Sequence, residues 1–160
     1  MSKAFTTDSD DEPTAPEGPP LPSGIKNYMT QAGARRLRAE VQALNESRAA
    51  LAGSSVESKA RLQAVERRLR YLAPRLEAAQ EIDPLSQLPD RALFGASVTV
   101  ESDSGESATW RIVGLDETDL DRGWISWMSP LAAAFLEKRV GDRVSFRGQS
   151  YRITDIAYHA

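Results

Sequence analysis

Residues 116–121, where the sequence reads DETDLD, carry four acidic side chains in six positions. Closely spaced carboxylates are the ligands that Ca²⁺ prefers, so this stretch is the first candidate for metal chemistry. It lacks the central glycine and the twelfth-position glutamate that complete a calcium loop. We therefore interpret it as the solvated end of a β-hairpin, and we expect neither a metal site nor a cofactor.

Other catalytic chemistry is equally sparse. His159 is the only histidine and lies one residue from the end, a poor position for a catalytic base. The absence of cysteine excludes disulfides, thiolate zinc sites and a cysteine nucleophile. The sequence contains no phosphate loop, dinucleotide fingerprint or serine-hydrolase elbow. We expect no catalytic residue and no enzyme activity of its own.

Arginines are concentrated in the middle of the chain and could follow a nucleic-acid backbone. Most of them fall off the leucine pattern described below, and no aromatic residue alternates with them for base stacking. We interpret them as the solvated face of a helical rod, with contact to nearby nucleic acid as the alternative. The residues are Arg35, Arg36, Arg38, Arg67, Arg68, Arg70 and Arg75.

All three tryptophans lie in the last third of the chain. Trp110 alternates with Ile112, which favours a core position. Trp124 and Trp127 are three residues apart, so on a strand they point to opposite faces. At least one of these two is expected near the surface, as a candidate binding anchor.

The elements that carry these residues form three segments. Residues 1–25 hold one lysine, five acids and five of the nine prolines, and they are predicted to be a disordered acidic tail. An acidic peptide that engages a basic patch is the alternative. No apolar stretch approaches the ~20 residues that span a bilayer, and no signal peptide is recognisable. The prediction is therefore a cytoplasmic protein without a membrane partner.

Residues 26–82 are predicted to form an antiparallel coiled-coil hairpin. Helices over 30–51 and 56–80 each carry apolar residues at alternating steps of three and four, which is typical of a coiled-coil seam. Thr30 is the predicted N-cap, and Pro74 should remove one hydrogen bond from the second helix. The seam residues are Ala34, Leu37, Val41, Leu44 and Leu51, then Leu62, Val65, Leu69, Leu72, Leu76 and Ala79.

Residues 83–160 alternate with a period of two and are predicted to form a small strand domain with one short helix. The strands are expected at 95–101, 108–115, 123–128, 142–148 and 151–158. Ser129 and Pro130 begin the helix, as N-cap and first helical residue. The predicted fold class is α+β, with the hairpin preceding the strand domain.

The segment WISWMSPLAAAFLEKRVGDRVSF (124–146) resembles the signature of the Gre transcript-cleavage and elongation factors. Residues 94–117 resemble the strands before it, more like GreB than GreA. ERRLRYLAPRLEAAQEID (66–83) and NYMTQAGARRLRAEV (27–41) resemble the two hairpin helices. The resemblance covers roughly residues 26–158 in order.

This resemblance implies an FKBP-like C-terminal domain that docks at the rim of the secondary channel of bacterial RNA polymerase. The residues implied to dock are Ser126, Trp127, Met128, Ser129, Pro130 and Leu131. It further implies a coiled coil that enters the channel, where acids at its tip help to hold Mg²⁺ for cleavage of backtracked RNA.

The hairpin tip departs from that pattern. Gly53 and Glu57 match, but Ser54 stands where the family has an aspartate and Ser58 where it has an asparagine. The hairpin is also shorter by about eight residues per arm, or ~12 Å. Magnesium needs ligands at ~2.0–2.1 Å, so a carboxylate withdrawn this far cannot reach the same ion. The prediction is a polymerase-binding regulator without cleavage activity that competes with other channel-binding factors.

Three alternatives remain at this point. One is a genuine transcript-cleavage factor that uses Glu57. Another is a prolyl isomerase, which requires an aromatic-lined pocket that the sequence does not locate. The last is a coiled-coil interaction module unrelated to transcription.

Overall fold

The structure is a computed structural model that describes residues 21, 23–51, 53 and 55–160. The predicted disordered tail over residues 1–25 falls almost entirely outside the described residues, and so does Ser54 at the predicted tip.

Two helices joined by a short turn form the N-terminal hairpin. Helix α1 spans Gln31–Ala50 and helix α2 spans Val56–Glu77. The Thr30 hydroxyl accepts a hydrogen bond from the Gly33 amide at 3.0 Å, which makes Thr30 the N-cap of α1 as predicted. Ser55 caps α2 in the same way, accepting from the Ser58 amide at 3.1 Å. The predicted antiparallel helical hairpin is confirmed.

The hairpin is packed most tightly at its base. Met29, Ala34, Leu37 and Leu72 are buried there. The Glu40–Arg68 ion pair, 2.7 Å between Oε2 and Nε, joins the arms above this cluster. Among the described residues closer to the turn, the predicted seam side chains are only half-buried. The base therefore supplies most of the apolar burial that holds the arms together.

Helix α2 ends earlier than predicted. Its apolar pattern continues to Ala79 and predicts a helix to Gln80, but the helix stops at Glu77 and strand β2 follows at Ala79–Ile82. The Asn27 side-chain amide donates to the Arg75 carbonyl at 2.8 Å, which satisfies one of the acceptors that a helix end leaves open. Strand β2 pairs in parallel with β1, Asn27–Thr30, and the hairpin is the crossover that such a pair needs. Sequence reasoning predicted neither strand.

The C-terminal domain contains the five predicted strands in one mixed sheet. They are β3 (Ala96–Ser102), β4 (Ser107–Val113), β5 (Trp124–Ser126), β6 (Arg143–Phe146) and β7 (Gln149–Tyr158). The order across the sheet is β5-β4-β3-β7-β6. The β4–β5 pair is parallel and the other pairs are antiparallel. The predicted α+β class is confirmed.

One short helix, α3 at Pro130–Phe135, covers the core of this sheet. Ser129 caps it, with its hydroxyl 3.1 Å from the Ala132 amide, and Pro130 is its first residue, both as predicted. Phe135 and Ala132 of α3 pack with the inward-facing residues of all five strands. Trp110 lies against this core but remains partly exposed.

Candidate functional site

An apolar cleft of about 700 Å³ opens beside the N-terminal end of α3. Its floor is formed by the core residues Val100, Ile125 and Phe135, which are almost fully buried. Its walls are the partly exposed aromatic side chains Trp110, Phe146 and Tyr151. The sequence did not locate an aromatic-lined pocket because these aromatic residues come from separate strands and the short helix.

Three of the six predicted docking residues lie at the rim of the cleft. Ser129, Pro130 and Leu131 line it, together with Leu120, whose exposed fraction of 72% is high for a leucine. An apolar cleft with an exposed leucine at its edge is typical of a surface that a partner covers. Sequence reasoning missed Leu120, which lies in a short 3₁₀ turn at Leu120–Arg122.

The other three predicted docking residues do not line the cleft. Ser126 is 9% exposed, and its hydroxyl accepts from the Met128 amide at 3.1 Å, so it shapes the turn before α3. Trp127 packs edge-on against Tyr28, with 5.0 Å between the ring centroids. Met128 is 36% exposed, at the surface of the same turn.

The tight turn between β6 and β7 brings a cation to the rim. Arg147 lies over the Phe146 ring, 5.2 Å from its centroid. Its φ is 51° and that of Gly148 is 77°, a pair of positive values that fits a two-residue type I′ turn. A side chain with a Cβ costs roughly 1–2 kcal/mol in this left-handed conformation, which favours Asn or Gly there. Arginine therefore occupies this position at a cost to stability.

We expect Arg147→Asn to raise the free energy of unfolding by about 0.5–1 kcal/mol, because asparagine tolerates the left-handed conformation better. Urea denaturation measures the difference. Arg152→Asn is the control, since Arg152 lies within β7 and has no positive φ. A stability gain of equal size at both positions would contradict the explanation from turn geometry.

The predicted hairpin tip carries little that could bind a metal. Gly53 and Glu57 are exposed, and Glu57 lies in the first turn of α2. The Ser58 hydroxyl is bonded to the Ser55 hydroxyl at 2.8 Å, so both serines serve the helix cap. Within the described ranges, no group of three or more His, Cys, Asp or Glu side chains could hold a metal ion.

Several of the predicted solvated arginines are engaged with other elements. Arg38 forms an ion pair with Glu81, and Arg68 with Glu40. Arg36 extends to the C-terminal domain, where its guanidinium lies 5.7 Å from the centre of the Trp124 ring. Part of the basic face therefore holds the hairpin together and connects it to the strand domain.

Asp116 joins the hairpin to the C-terminal domain. The Tyr71 hydroxyl donates to its Oδ1 at 2.5 Å, and the Arg75 guanidinium approaches its Oδ2 at 3.1 Å. The Arg75 and Asp116 side chains are only 8% and 5% exposed. A buried charge pair needs this close geometry and an additional hydrogen bond to offset its desolvation.

Glu117 forms a second connection at the start of α1. Its carboxylate accepts hydrogen bonds from the Thr30 hydroxyl, from the Thr30 amide at 3.0 Å and from the Gly114 amide at 2.8 Å. It also lies directly against Gly33. The prediction of a solvated hairpin end at 116–121 was therefore wrong for Asp116 and Glu117, whose charges are satisfied by the hairpin base.

The contacts of Asp116 and Glu117 with the hairpin base form the junction between the hairpin and the C-terminal domain. This junction predicts a loss of folding stability at high pH. Burial, followed by the hydrogen bond to Asp116, raises the pKa of Tyr71 to about 12. Since the unfolded value is near ~10, the neutral phenol contributes stability that is complete below pH ~10 and is lost as the pH rises through ~12. We expect the free energy of unfolding to fall across this window, and Tyr71→Phe to flatten the fall. Urea denaturation at several pH values measures it, and an unchanged slope would contradict the assignment.

Comparison with known proteins shows which family this chain resembles. The family model described as transcription elongation factor GreA/GreB, C-terminal, matches residues 87–158. GreB of Neisseria meningitidis serogroup B is 38% identical over 136 residues, covering 74% of this chain and 83% of that protein. GreB of Haemophilus influenzae is 38% identical over 99 residues, covering 62% and 63%. The solved structure of GreA factor homolog 1 (Gfh1) of Thermus thermophilus covers 83% of this chain and 99% of that chain, with 25% identity and a TM-score of 0.39.

The Neisseria alignment also shows a difference in length. It extends over 136 residues, whereas 74% of the 160 residues of this chain is only about 118, so about 18 positions of the relative have no counterpart here. The shorter Haemophilus match shows no such deficit, because 62% of 160 residues is about 99, the length of that match. With 38% identity over most of the Neisseria protein, and a C-terminal half that matches the family model, the chain belongs to the GreA/GreB family of transcription elongation factors.

Proposed function

We propose that this protein is a Gre-type regulator of bacterial RNA polymerase that occupies the secondary channel without stimulating transcript cleavage. The C-terminal domain binds the rim of the channel through its apolar cleft, and the hairpin lies in the channel entrance. In that position it competes with full-length Gre factors and other channel-binding factors. The short tip and its single carboxylate are the observation that carries the proposal.

The cleft supports the docking half of the proposal. Ser129, Pro130 and Leu131, which the family resemblance implicates in docking, line the same rim as the exposed Leu120. Neither of the two exposed residues, Leu120 and Pro130, belongs to the buried core, so their apolar surface is available to a partner. The basic face of the hairpin is suited to nucleic acid near the channel.

The tip supports the absence of cleavage. Glu57 is one carboxylate where the family pattern has two, and the 20-residue α1 is only ~30 Å long at 1.5 Å per residue. The alignment deficit of about 18 positions agrees with an expected shortening of about sixteen residues. A lone carboxylate that ends ~12 Å short cannot complete a magnesium site whose ligands must lie within ~2.1 Å.

The docking proposal predicts a loss of polymerase binding when the rim is changed. Leu120→Asp combined with Pro130→Ala should weaken binding to core RNA polymerase by at least ~100-fold, or about 2.7 kcal/mol, because a charge would be desolvated in an apolar contact. Both residues are exposed, so the domain should remain folded. Binding is measured by fluorescence anisotropy with labelled protein.

The matched control is Val140→Asp, which places the same charge at an exposed apolar residue that lines a different depression. Its affinity should stay within about twofold of the unmodified protein. Full affinity of the Leu120 and Pro130 variant, or an equal loss in the control, would show that the cleft is not the surface that binds polymerase.

A further inference from the structure

We propose that the apolar cleft recognises an extended peptide segment of a partner protein in which proline stands next to an acidic residue. The inference deepens the proposed function and rests on it for the natural partner, because it names the kind of segment that the polymerase would present to the cleft. Recognition of the segment itself does not require polymerase and is tested without it.

The walls of the cleft supply surfaces on which proline rings pack. Trp110 comes from β4 and Tyr151 from β7, the two strands that flank β3, and Val100 of β3 forms part of the floor. Proline-rich segments in the polyproline II conformation dock into grooves lined by aromatic side chains of this type. Such a segment loses little conformational entropy on binding, because proline restricts its own backbone beforehand.

The two aromatic walls are spaced for a segment of about five residues. Trp110 pairs with Val98 of β3, and Tyr151 pairs with Ser102, four residues further along the same strand. At ~3.3 Å per residue this offset is ~13 Å along β3. A polyproline II helix rises ~3.1 Å per residue, so four steps of it cover ~12 Å. A segment of about five residues that lies above β3 therefore passes both rings.

Two side-chain donors at the cleft suit the backbone of such a segment. A polyproline II helix has no internal hydrogen bonds, so its carbonyl groups need donors from outside. The Trp110 indole N–H is neither fully buried nor hydrogen-bonded within the described part of the chain. The Gln149 side-chain oxygen accepts from the Tyr151 hydroxyl, which leaves the Gln149 amide group available to a carbonyl of the segment.

Arg147 adds a preference for negative charge. Among the described residues it is the one charged side chain that lines the cleft, and it is exposed at the rim beside Phe146. Its left-handed backbone conformation has a cost, and residues held in this way are concentrated at sites that clamp a ligand. A guanidinium group pairs with a carboxylate through two hydrogen bonds. A glutamate or aspartate beside the proline is therefore the residue that complements Arg147.

A free peptide tests this recognition in the full-length protein. The probe has three Pro-Pro-Ala repeats followed by one glutamate, and NMR follows the Trp110 indole signal and the backbone amides of Ser129 and Gln149, which line the cleft. We expect saturable shifts of these signals. A peptide with serine at every proline position should bind at least ~10-fold more weakly, because its backbone is not restricted beforehand. A peptide that ends in lysine should bind roughly threefold to tenfold more weakly. Shifts that are absent, or equal affinity for proline and serine peptides, would overturn the proposal.

Two pairs of variants assign the contacts. Arg147→Asn should bind the glutamate and lysine peptides equally, whereas Arg152→Asn changes an exposed arginine outside the cleft and should keep the preference. Tyr151→Leu should lose most of the preference for proline over serine, and Tyr151→Phe should keep it, because the ring rather than the hydroxyl packs on proline. Preferences that survive both Arg147→Asn and Tyr151→Leu would show that the cleft does not recognise the peptide.

Displacement from polymerase separates this inference from the proposed function. In the anisotropy assay, a saturating concentration of the glutamate peptide should release the labelled protein from core polymerase. If the peptide binds the cleft without releasing the protein, recognition stands, and the cleft is not the surface that binds polymerase. If the peptide does not bind while the Leu120 and Pro130 variant loses its affinity for polymerase, the proposed function stands and this inference fails.

Discussion

Lengthening both arms of the hairpin and restoring its tip is expected to create transcript-cleavage activity, which the proposed function denies to the natural chain. The change duplicates residues 44–50 in α1 and 59–65 in α2, and adds Ser54→Asp and Ser58→Asn. One heptad per arm advances the tip by ~10 Å, most of the ~12 Å deficit, and returns each apolar residue to the same side of the seam. We expect RNA shortening at least ~10-fold faster than polymerase alone, equal to about 1.4 kcal/mol of transition-state stabilisation.

The measurement uses halted, backtracked transcription complexes with Mg²⁺, and it follows the length of the RNA. Ser54→Asp with Ser58→Asn alone should remain inactive, because the tip still ends short of the metal. Inserting five residues per arm with the same tip should also fail, since five residues do not complete a 3.5-residue repeat and rotate the tip away from the seam. Rapid cleavage by the unmodified protein would refute the proposed loss of activity, and cleavage by the two tip substitutions alone would refute the role of length.

The hairpin and the positions of the five strands along the chain could be predicted because each depends on a local pattern. The three-and-four spacing of Leu37, Val41 and Leu44 depends only on neighbours in the sequence, and the structure confirms the helix that carries them. Thr30 and Ser129 were recognisable as N-caps for the same reason. The error at the end of α2 shows the limit of such patterns. Ala79 continues the apolar spacing, but pairing with Asn27, distant in sequence, places it in a strand.

The junction and the cleft could not be predicted because their parts are distant in sequence. The sequence around Asp116 and Glu117 is the same whether their carboxylates are hydrated or hydrogen-bonded to the base of the hairpin. Their partners Tyr71, Arg75 and Thr30 lie 41 to 87 residues away along the chain. Only the tertiary structure decides whether such acids are solvated, since a buried charge is stable only beside its partners.

Gly33→Ala is expected to destabilise the protein strongly, although glycine to alanine normally stabilises a helix by roughly 0.5–1 kcal/mol. A Cβ at Gly33 would lie 2.1 Å from Oε1 and 2.4 Å from Cδ of Glu117. Glu117 cannot move aside without breaking its hydrogen bonds to Thr30 and Gly114. We therefore expect the free energy of unfolding to fall by about 3 kcal/mol, the upper end for overpacking a close contact.

Urea denaturation of a double-mutant cycle with Glu117→Ala tests this explanation. In the Glu117→Ala background the three atoms nearest to a Cβ at Gly33 are absent. Gly33→Ala should therefore be neutral or slightly stabilising there, a coupling of about 3 kcal/mol between the two sites. Gly53→Ala is the control for the substitution itself, because a Cβ at Gly53 meets nothing closer than 3.4 Å. An equal loss with and without the Glu117 carboxylate would show that Gly33 acts through the helix alone. A coupled loss would show that close contact at the junction, made possible by a residue without a side chain, holds the hairpin against the C-terminal domain.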